Sequence, residues 1–253
     1  MEVQLTELLY DPEKETIEDL QLAGLSLIQA KKGFRYGMDS VLLAYFADIR
    51  CNETVCDFGT GNGILPLLLV GRGKGHTFYA FEIMEDAAEL ARRNVKLNLL
   101  DERIHIIHSD ASDANLYIDP CSVDSIICNP PYSHPSSSLA SPNTQKAAAR
   151  CQKENTLDGM FSAAFRILKG KGKIHLIYPA SQMLYLMKKL QQHHLEPKCL
   201  RMVYPSVVKP ANLFLIEAVK DAKPTLHHMP PLVIYQESGC LTSELKSVYH
   251  IGE

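Results

Sequence analysis

The tetrapeptide Asn129-Pro130-Pro131-Tyr132 has the groups needed to hold a planar amine. Two successive prolines cannot donate to a sheet ladder, and each keeps the residue before it extended. They stop the apolar run Val123 to Cys128, which reads as a short buried strand, and begin a stiff loop with Asn129 at its mouth. The Asn129 side-chain oxygen and the Pro130 carbonyl are two acceptors for an exocyclic –NH2. The Tyr132 ring can stack on the flat group that carries it. Taken alone, the same four residues also suit a plain strand-ending turn.

A second chemically meaningful stretch is Asp57-Phe58-Gly59-Thr60-Gly61-Asn62-Gly63. Three glycines in five positions permit positive φ and close backbone approach to a ligand, and the helical run behind them, Ile64 to Val70, offers unpaired N–H groups. The spacing is GxGxG, not the GxGxxG of pyrophosphate-binding turns. The Asp57 carboxylate before the first glycine repels phosphate and attracts a cation. Glu82, with Ile83 after it, ends the apolar run Thr77 to Phe81 and can accept from both hydroxyls of a ribose. Asp110, followed by Ala111, comes after the run Ile104 to Ile107 and can accept from an adenine amino group.

Asp57, Glu82, Asp110 and Asn129 thus stand at the exits of four successive apolar runs, and a right-handed α/β sheet gathers such exits along one edge. The expected fold class is α/β: a doubly wound, mostly parallel sheet. Lys198 to Tyr204 and Leu213 to Val219 lack an intervening helix, which predicts an antiparallel pair at one sheet edge. Leu25 to Ala30 is expected as a strand or half of a hairpin. Asp39 or Ser40 is expected to cap a helix over Val41 to Ala47; Asp39 is also a candidate ligand contact. Met84 to Leu99 has a helical pattern with Ala87, Ala88, Ala91, Val95 and Leu99 inward and Arg92 and Arg93 in solvent. The stretch Ser133 to Gln152, with His134 and Lys146, is expected to close over a substrate.

At 253 residues the chain suits one large domain, read as an extension over residues 1–50 packed on a catalytic unit over 51–253. It has no apolar run long enough to span a bilayer, and its acidic start is unlike a secretion signal. Seven cysteines form no CxxC pair and no metal-ligand spacing, which predicts a reduced, cytoplasmic protein without a metal. A net charge of -3 exerts no global pull on nucleic acid, so an RNA surface must be a local patch. Lys31, Lys32, Arg35, Arg150 and Lys209 are the candidates for phosphate contacts.

A cofactor that is cationic near Asp57, carries a ribose at Glu82 and an adenine at Asp110, and needs no phosphate is S-adenosylmethionine. At these residues the chain resembles a known family. The stretch from Asp57 to Gly63 looks like the first motif of class I methyltransferases. Asn129 to Tyr132 looks like the fourth motif of their amino-methylating branch. Within that branch, Leu8-Leu9-Tyr10-Asp11, Phe34 to Ala47, Val203-Tyr204-Pro205, Lys209 with Ala211-Asn212, and Pro230 to Val233 resemble the valine-tRNA adenosine N6-methyltransferase family. The resemblance implies a seven-stranded sheet whose last strand is antiparallel, methylation of an adenosine beside the anticodon, a tRNA partner and a monomer. Other readings are methylation of a protein glutamine, of ribosomal RNA or of DNA at the same motif. A nicotinamide dehydrogenase conflicts with the glycine spacing. A non-catalytic RNA-binding protein conflicts with the intact motifs.

Overall fold

The structure, a computed structural model, describes residues 10–31, 37–130 and 157–250. The chain opens with an antiparallel hairpin, β1 (Glu15–Asp19) and β2 (Ser26–Ala30), followed by helix α1 (Met38–Phe46). Three strand–helix units then lay down β3 (Thr54–Phe58), α2 (Ile64–Gly71), β4 (Thr77–Glu82), α3 (Glu85–Leu97) and β5 (Ile104–His108), with a 3-10 turn at Ala111–Leu116. Strand β6 (Val123–Cys128), helix α4 (157–167), β7 (Leu168–Pro179), α5 (Met183–Gln192), β8 (Leu195–Ser206) and β9 (Leu213–Lys220) follow. Two short strands, β10 (His227–His228) and β11 (Leu232–Tyr235), and helix α6 (Ser243–Val248) complete the described chain.

Strands β3 to β11 form one nine-stranded sheet in the order β10-β8-β9-β7-β6-β3-β4-β5, with β11 also on β8. The parallel set β5-β4-β3-β6-β7 grows outward from β3 to β5, and β6 then returns to the other side of β3. This reversal of strand order opens a crevice at the carboxyl ends of β3 and β6, the position where such sheets bind ligands.

The sheet is doubly wound and mostly parallel as expected, and Lys198 to Tyr204 and Leu213 to Val219 do pair antiparallel; the count of seven strands and the edge placement of the antiparallel strand are corrected. Strand β9 is the antiparallel one, and it lies inside the sheet between β7 and β8. The reason is compositional. Phe214, Leu215, Ile216 and Ala218 are all buried, so both faces of β9 are apolar and covered by packing layers, as suits a strand inside the sheet. Strand β8 is the next strand out and is flanked on its other side by the short strands β10 and β11.

The sheet has a core on each face. Val41, Leu42, Leu67, Val95 and Leu245 from α1, α2, α3 and α6 pack on one side with Val55 and Ile127. Phe161, Leu186 and Ala114 from α4, α5 and the 3-10 turn pack on the other with Cys56, Phe58 and Ile126. The alternation of Val55 against Cys56, and of Ile127 against Ile126, is the two-residue period of a strand.

Three local expectations are corrected. Helix α1 starts at Met38 with Gly37 as its cap and no side-chain cap bond, so neither Asp39 nor Ser40 caps it. Its other end is closed by Lys74, whose Nζ donates to the carbonyls of Ala44, Tyr45 and Ala47. Helix α3 ends at Leu97; Leu99 takes φ 56° and is 77% exposed, turned away from the core by the helix stop. Arg93 is not a solvent side chain: its two terminal nitrogens donate to both Glu15 oxygens at 2.8 and 2.7 Å, tying α3 to β1.

Candidate active site

The glycine loop is held at every residue from 59 to 63. Gly59 and Thr60 donate their N–H to the Phe81 carbonyl, at 3.0 and 2.9 Å, and Gly61 donates to Glu82 Oε2 at 2.8 Å. The Asn62 carbonyl accepts from Asn94 Nδ2 at 2.9 Å. Gly63 caps α2 at φ 83° and lies so near α3 that a Cβ there would stand 3.4 Å from that of Ala91. Gly59 and Gly61 also take positive φ, 78° and 59°, but a Cβ on either would meet nothing within 4 Å among the described residues. The space over these two glycines is therefore room for a ligand to approach the main chain.

Asp57 lies within β3 and is fully buried. Among the described residues neither of its oxygens has a hydrogen-bond partner, and the same holds for Thr60 Oγ1 and Asn62 Oδ1. Burial drives the Asp57 pKa up to about 7; the Thr60 hydroxyl, near it without a bond of good geometry, pulls it part of the way back, and the Glu82 carboxylate adds to the rise. Buried polar groups left unpaired cost stability, and a cluster of them beside an open glycine loop fits a polar, cationic ligand.

The four strand exits are brought side by side. Phe58 pairs with Phe81 and with Cys128, and Glu82 pairs with His108, so Gly59, Ile83, Ser109 and Asn129 follow at neighbouring ends. At one strand spacing per step, the row from β5 to β6 spans roughly 14 Å. Glu82 is nearly buried, and its carboxylate is fixed by Gly61 N–H and by Met84 N–H at 2.9 Å. Each oxygen keeps acceptor capacity for a hydroxyl. Ile83 is 60% exposed beside it. Asp110 caps the 3-10 turn, its Oδ1 accepting from Ser112 N–H at 2.8 Å, and Ala111 is buried.

Asn129 is half-buried and Pro130 is buried at the exit of β6. Asn129 Nδ2 donates to Ser40 Oγ at 3.3 Å, and Ser40 is itself buried in the first turn of α1 beside half-buried Asp39. Ser40 is thus an orienting partner that sequence reading treated as a cap. Asn94 is a second residue missed, although a polar side chain on the inward stripe of an amphipathic helix, three residues after Ala91, marks it. Lys209 is exposed in the β8–β9 connection, whose Lys209 N–H bonds the Ser206 carbonyl. Lys31 Nζ donates to the Pro12 carbonyl at 2.7 Å, so it is engaged within the hairpin region. Tyr132, Lys32, Arg35, Arg150, His134 and Lys146 lie outside the described residues. Among the described residues no cluster of His, Cys, Asp or Glu has metal-binding geometry, and no helix is long and apolar enough to cross a membrane.

A doubly wound sheet with a glycine loop after its first central strand, acidic exits on the next two and Asn-Pro at the switch point defines a class of nucleoside-cofactor enzymes. Its fold matches a crystal structure of a predicted O-methyltransferase from Agrobacterium tumefaciens with TM-score 0.67 and 20% identity, over 84% of this chain and 96% of that one. It also matches M. jannaschii TYW2, crystallised in complex with AdoMet, with TM-score 0.56 and 18% identity, over 83% and 87%. A tRNA1(Val) (adenine(37)-N6)-methyltransferase of Vibrio vulnificus is 30% identical over 194 residues, 76% of this chain and 78% of that protein. The family model for the methyltransferase small domain matches residues 35–196. The chain belongs to this methyltransferase family, and it is an enzyme of that class.

Proposed function

We propose that the protein transfers a methyl group from S-adenosylmethionine to the exocyclic amino group of an adenine in RNA, at the adenine beside the anticodon of a valine tRNA. The observation that carries this reading is the placement of Asn129 one strand over from the open glycine loop, with its amide nitrogen engaged by Ser40. The name borne by the Vibrio vulnificus relative supports adenine-N6 of tRNA as the acceptor. The unpaired Asp57, Thr60 and Asn62 atoms, and the room over Gly59 and Gly61, fit the donor.

S-adenosylmethionine, when bound, supplies an electrophilic methyl group on a sulfonium and leaves as a neutral thioether. Asp57 offers the negative charge that a cationic donor needs. Glu82 accepts from the ribose hydroxyls, and Asp110, with Ala111 and Ile83, receives the donor's adenine. Asp39 adds a carboxylate on the α1 side. The acceptor amine is a weak nucleophile because its lone pair is delocalised into the ring. Asn129 Oδ1 and the Pro130 carbonyl hold its two N–H bonds and turn the lone pair toward the methyl group, which assists by orientation and electrostatics. The proton left on nitrogen after the N–C bond forms departs to solvent, so no strong base is required. Tyr132 stacks on the base, an interaction worth ~1–3 kcal/mol in single-strand recognition. Unstacking the base costs a few kcal/mol. Lys32, Arg35, Arg150 and Lys209 offset it through the phosphates. We read residues 1–50 as an extension on the catalytic unit of 51–253, and the protein as a cytoplasmic monomer.

Labelled S-adenosylmethionine incubated with unmodified valine tRNA, other tRNAs, ribosomal RNA, DNA and release-factor protein tests this reading. Label in the valine tRNA, recovered as N6-methyladenosine, is expected. Label confined to protein would move the acceptor to a glutamine amide, and label in no pool would overturn the proposal.

A further inference from the structure

Helix α3 holds the hairpin by imitating a third strand. On β2, Ser26 and Ile28 are two residues apart and their N–H and C=O groups face α3. On α3, Asn94 and Asn98 are one turn apart. Four helical residues rise ~6 Å, and two strand residues rise ~6.8 Å. The two amides therefore match the strand's repeat. Asn98 Oδ1 accepts from Ser26 N–H at 2.9 Å while its Nδ2 donates to the Ser26 carbonyl at 2.7 Å. Asn94 Oδ1 accepts from Ile28 N–H at 2.6 Å while its Nδ2 donates to the Ile28 carbonyl at 3.0 Å.

The two asparagines differ in their remaining bond. Asn98 Nδ2 turns back to the Asn94 carbonyl of its own helix, at 2.7 Å. Asn94 Nδ2 reaches the Asn62 carbonyl in the glycine loop, at 2.9 Å. Asn94 is fully buried, and both its N–H donors and its carbonyl oxygen are engaged: two bonds go to the hairpin and one to the loop. The loop is otherwise secured from the β4 side, through Phe81 and Glu82. We propose that Asn94 is a positioning residue for the donor site, and that the N-terminal hairpin acts through it as a brace for the glycine loop.

A residue 62 carbonyl bonded to a rigid, buried amide holds the 62–63 peptide plane in place. The open φ-positive surfaces of Gly59 and Gly61, whose N–H groups are bonded to Phe81 and Glu82, then stay in the arrangement a ligand meets. Asn98 secures the hairpin equally well but has no bond to the loop, so it serves as an internal control. The proposal rests on the reading of this loop as the seat of S-adenosylmethionine.

Calorimetric titration of S-adenosylmethionine into the full chain, with steady-state kinetics, separates the roles. Asn94→Ala is expected to weaken donor affinity by about tenfold. It should raise the donor KM by a similar factor, leaving kcat at saturating donor and the KM for RNA near the parent values. Asn98→Ala is expected to lower the melting temperature while keeping donor affinity within about twofold. If Asn94→Ala does not fold, Asn94→Ser takes its place with the same expectation. Equal weakening of the donor by Asn94→Ala and Asn98→Ala, or a loss of kcat without a change in donor KM, would overturn the proposal and leave Asn94 a purely structural residue. An unmodified chain that fails to bind the donor would instead overturn the donor-site reading beneath it.

Discussion

At the scale of single residues, Asp57 carries the clearest electrostatic signature. Burial lifts its pKa to about 7, with Thr60 opposing and Glu82 reinforcing. A cationic donor stabilises the ionised carboxylate and lowers that pKa, so binding below pH 7 must release a proton. Affinity for S-adenosylmethionine should rise as pH climbs from 5.5 toward 7, by up to about tenfold per unit, and flatten above it. Asp57→Asn should bind more weakly and lose the slope; titrations at several pH values that show parallel curves for both proteins would remove Asp57 from the donor's contacts. Asn129 poses a different test, because the proposed mechanism has its amide act on the acceptor. Asn129→Ala should lower kcat by at least about a hundredfold with donor affinity nearly unchanged. Ser40→Ala, which releases the amide nitrogen, should lower kcat less, in the same direction. Loss of donor binding in either variant would place them in the donor site instead.

At the scale of elements, the glycine loop shows how one backbone conformation serves two ends. Gly59 and Gly63 both take positive φ, so an alanine at either costs roughly 1–2 kcal/mol of strain. They differ in what the new methyl group meets. At residue 63 it meets Ala91 of α3, and at residue 59 it meets nothing among the described residues. Gly63→Ala should therefore act mainly on stability, and Gly59→Ala should weaken donor binding well beyond its stability loss. Urea unfolding alongside donor titration distinguishes them; equal donor affinities in the two variants would show that the space over Gly59 is not the donor's. The loop itself was legible from its spacing, as were the Pro-Pro stop and the strands around both, since these rest on rules between near neighbours. Three parts of the neighbourhood were not. Helix α1 begins at Met38 because Gly37 is extended there, so Ser40 is buried in the first turn and not at the cap. Asn94 and Arg93 look like ordinary polar positions on α3 until the hairpin is laid against them.

At the scale of the whole molecule, the same sheet that gathers the exits buries charge-bearing groups far along its strands. His175 of β7 is fully buried, neither ring nitrogen has a hydrogen-bond partner among the described residues, and the ring meets Phe46 edge-on at 6.4 Å. Burial, with Lys173 and Lys74 nearby and Asp48 opposing, drives its pKa down to about 3, while Glu217 Oε2 stands 3.9 Å from Nδ1. The unfolded chain binds this proton near pH 6.5, so the stability contribution is complete above that value and is lost as pH falls below it. The loss should be about 1.4 kcal/mol per pH unit. Chemical denaturation at pH 7.0 and 5.5 should show this slope in the parent and a smaller one in His175→Leu. Equal slopes would mean that His175 is protonated in the folded protein.

The sequence by itself determined the α/β class and the apolar runs that end at these exits. Glycine spacing, paired prolines and apolar runs act through conformational limits on adjacent residues. It did not determine which surfaces meet. The inward place of β9 depends on both its faces finding cover, the Ser40–Asn129 contact joins residues 89 apart, and Asn94 joins segments 66 and 32 residues away. Those bonds form only when packed layers bring the groups within reach, and no local rule counts across such separations.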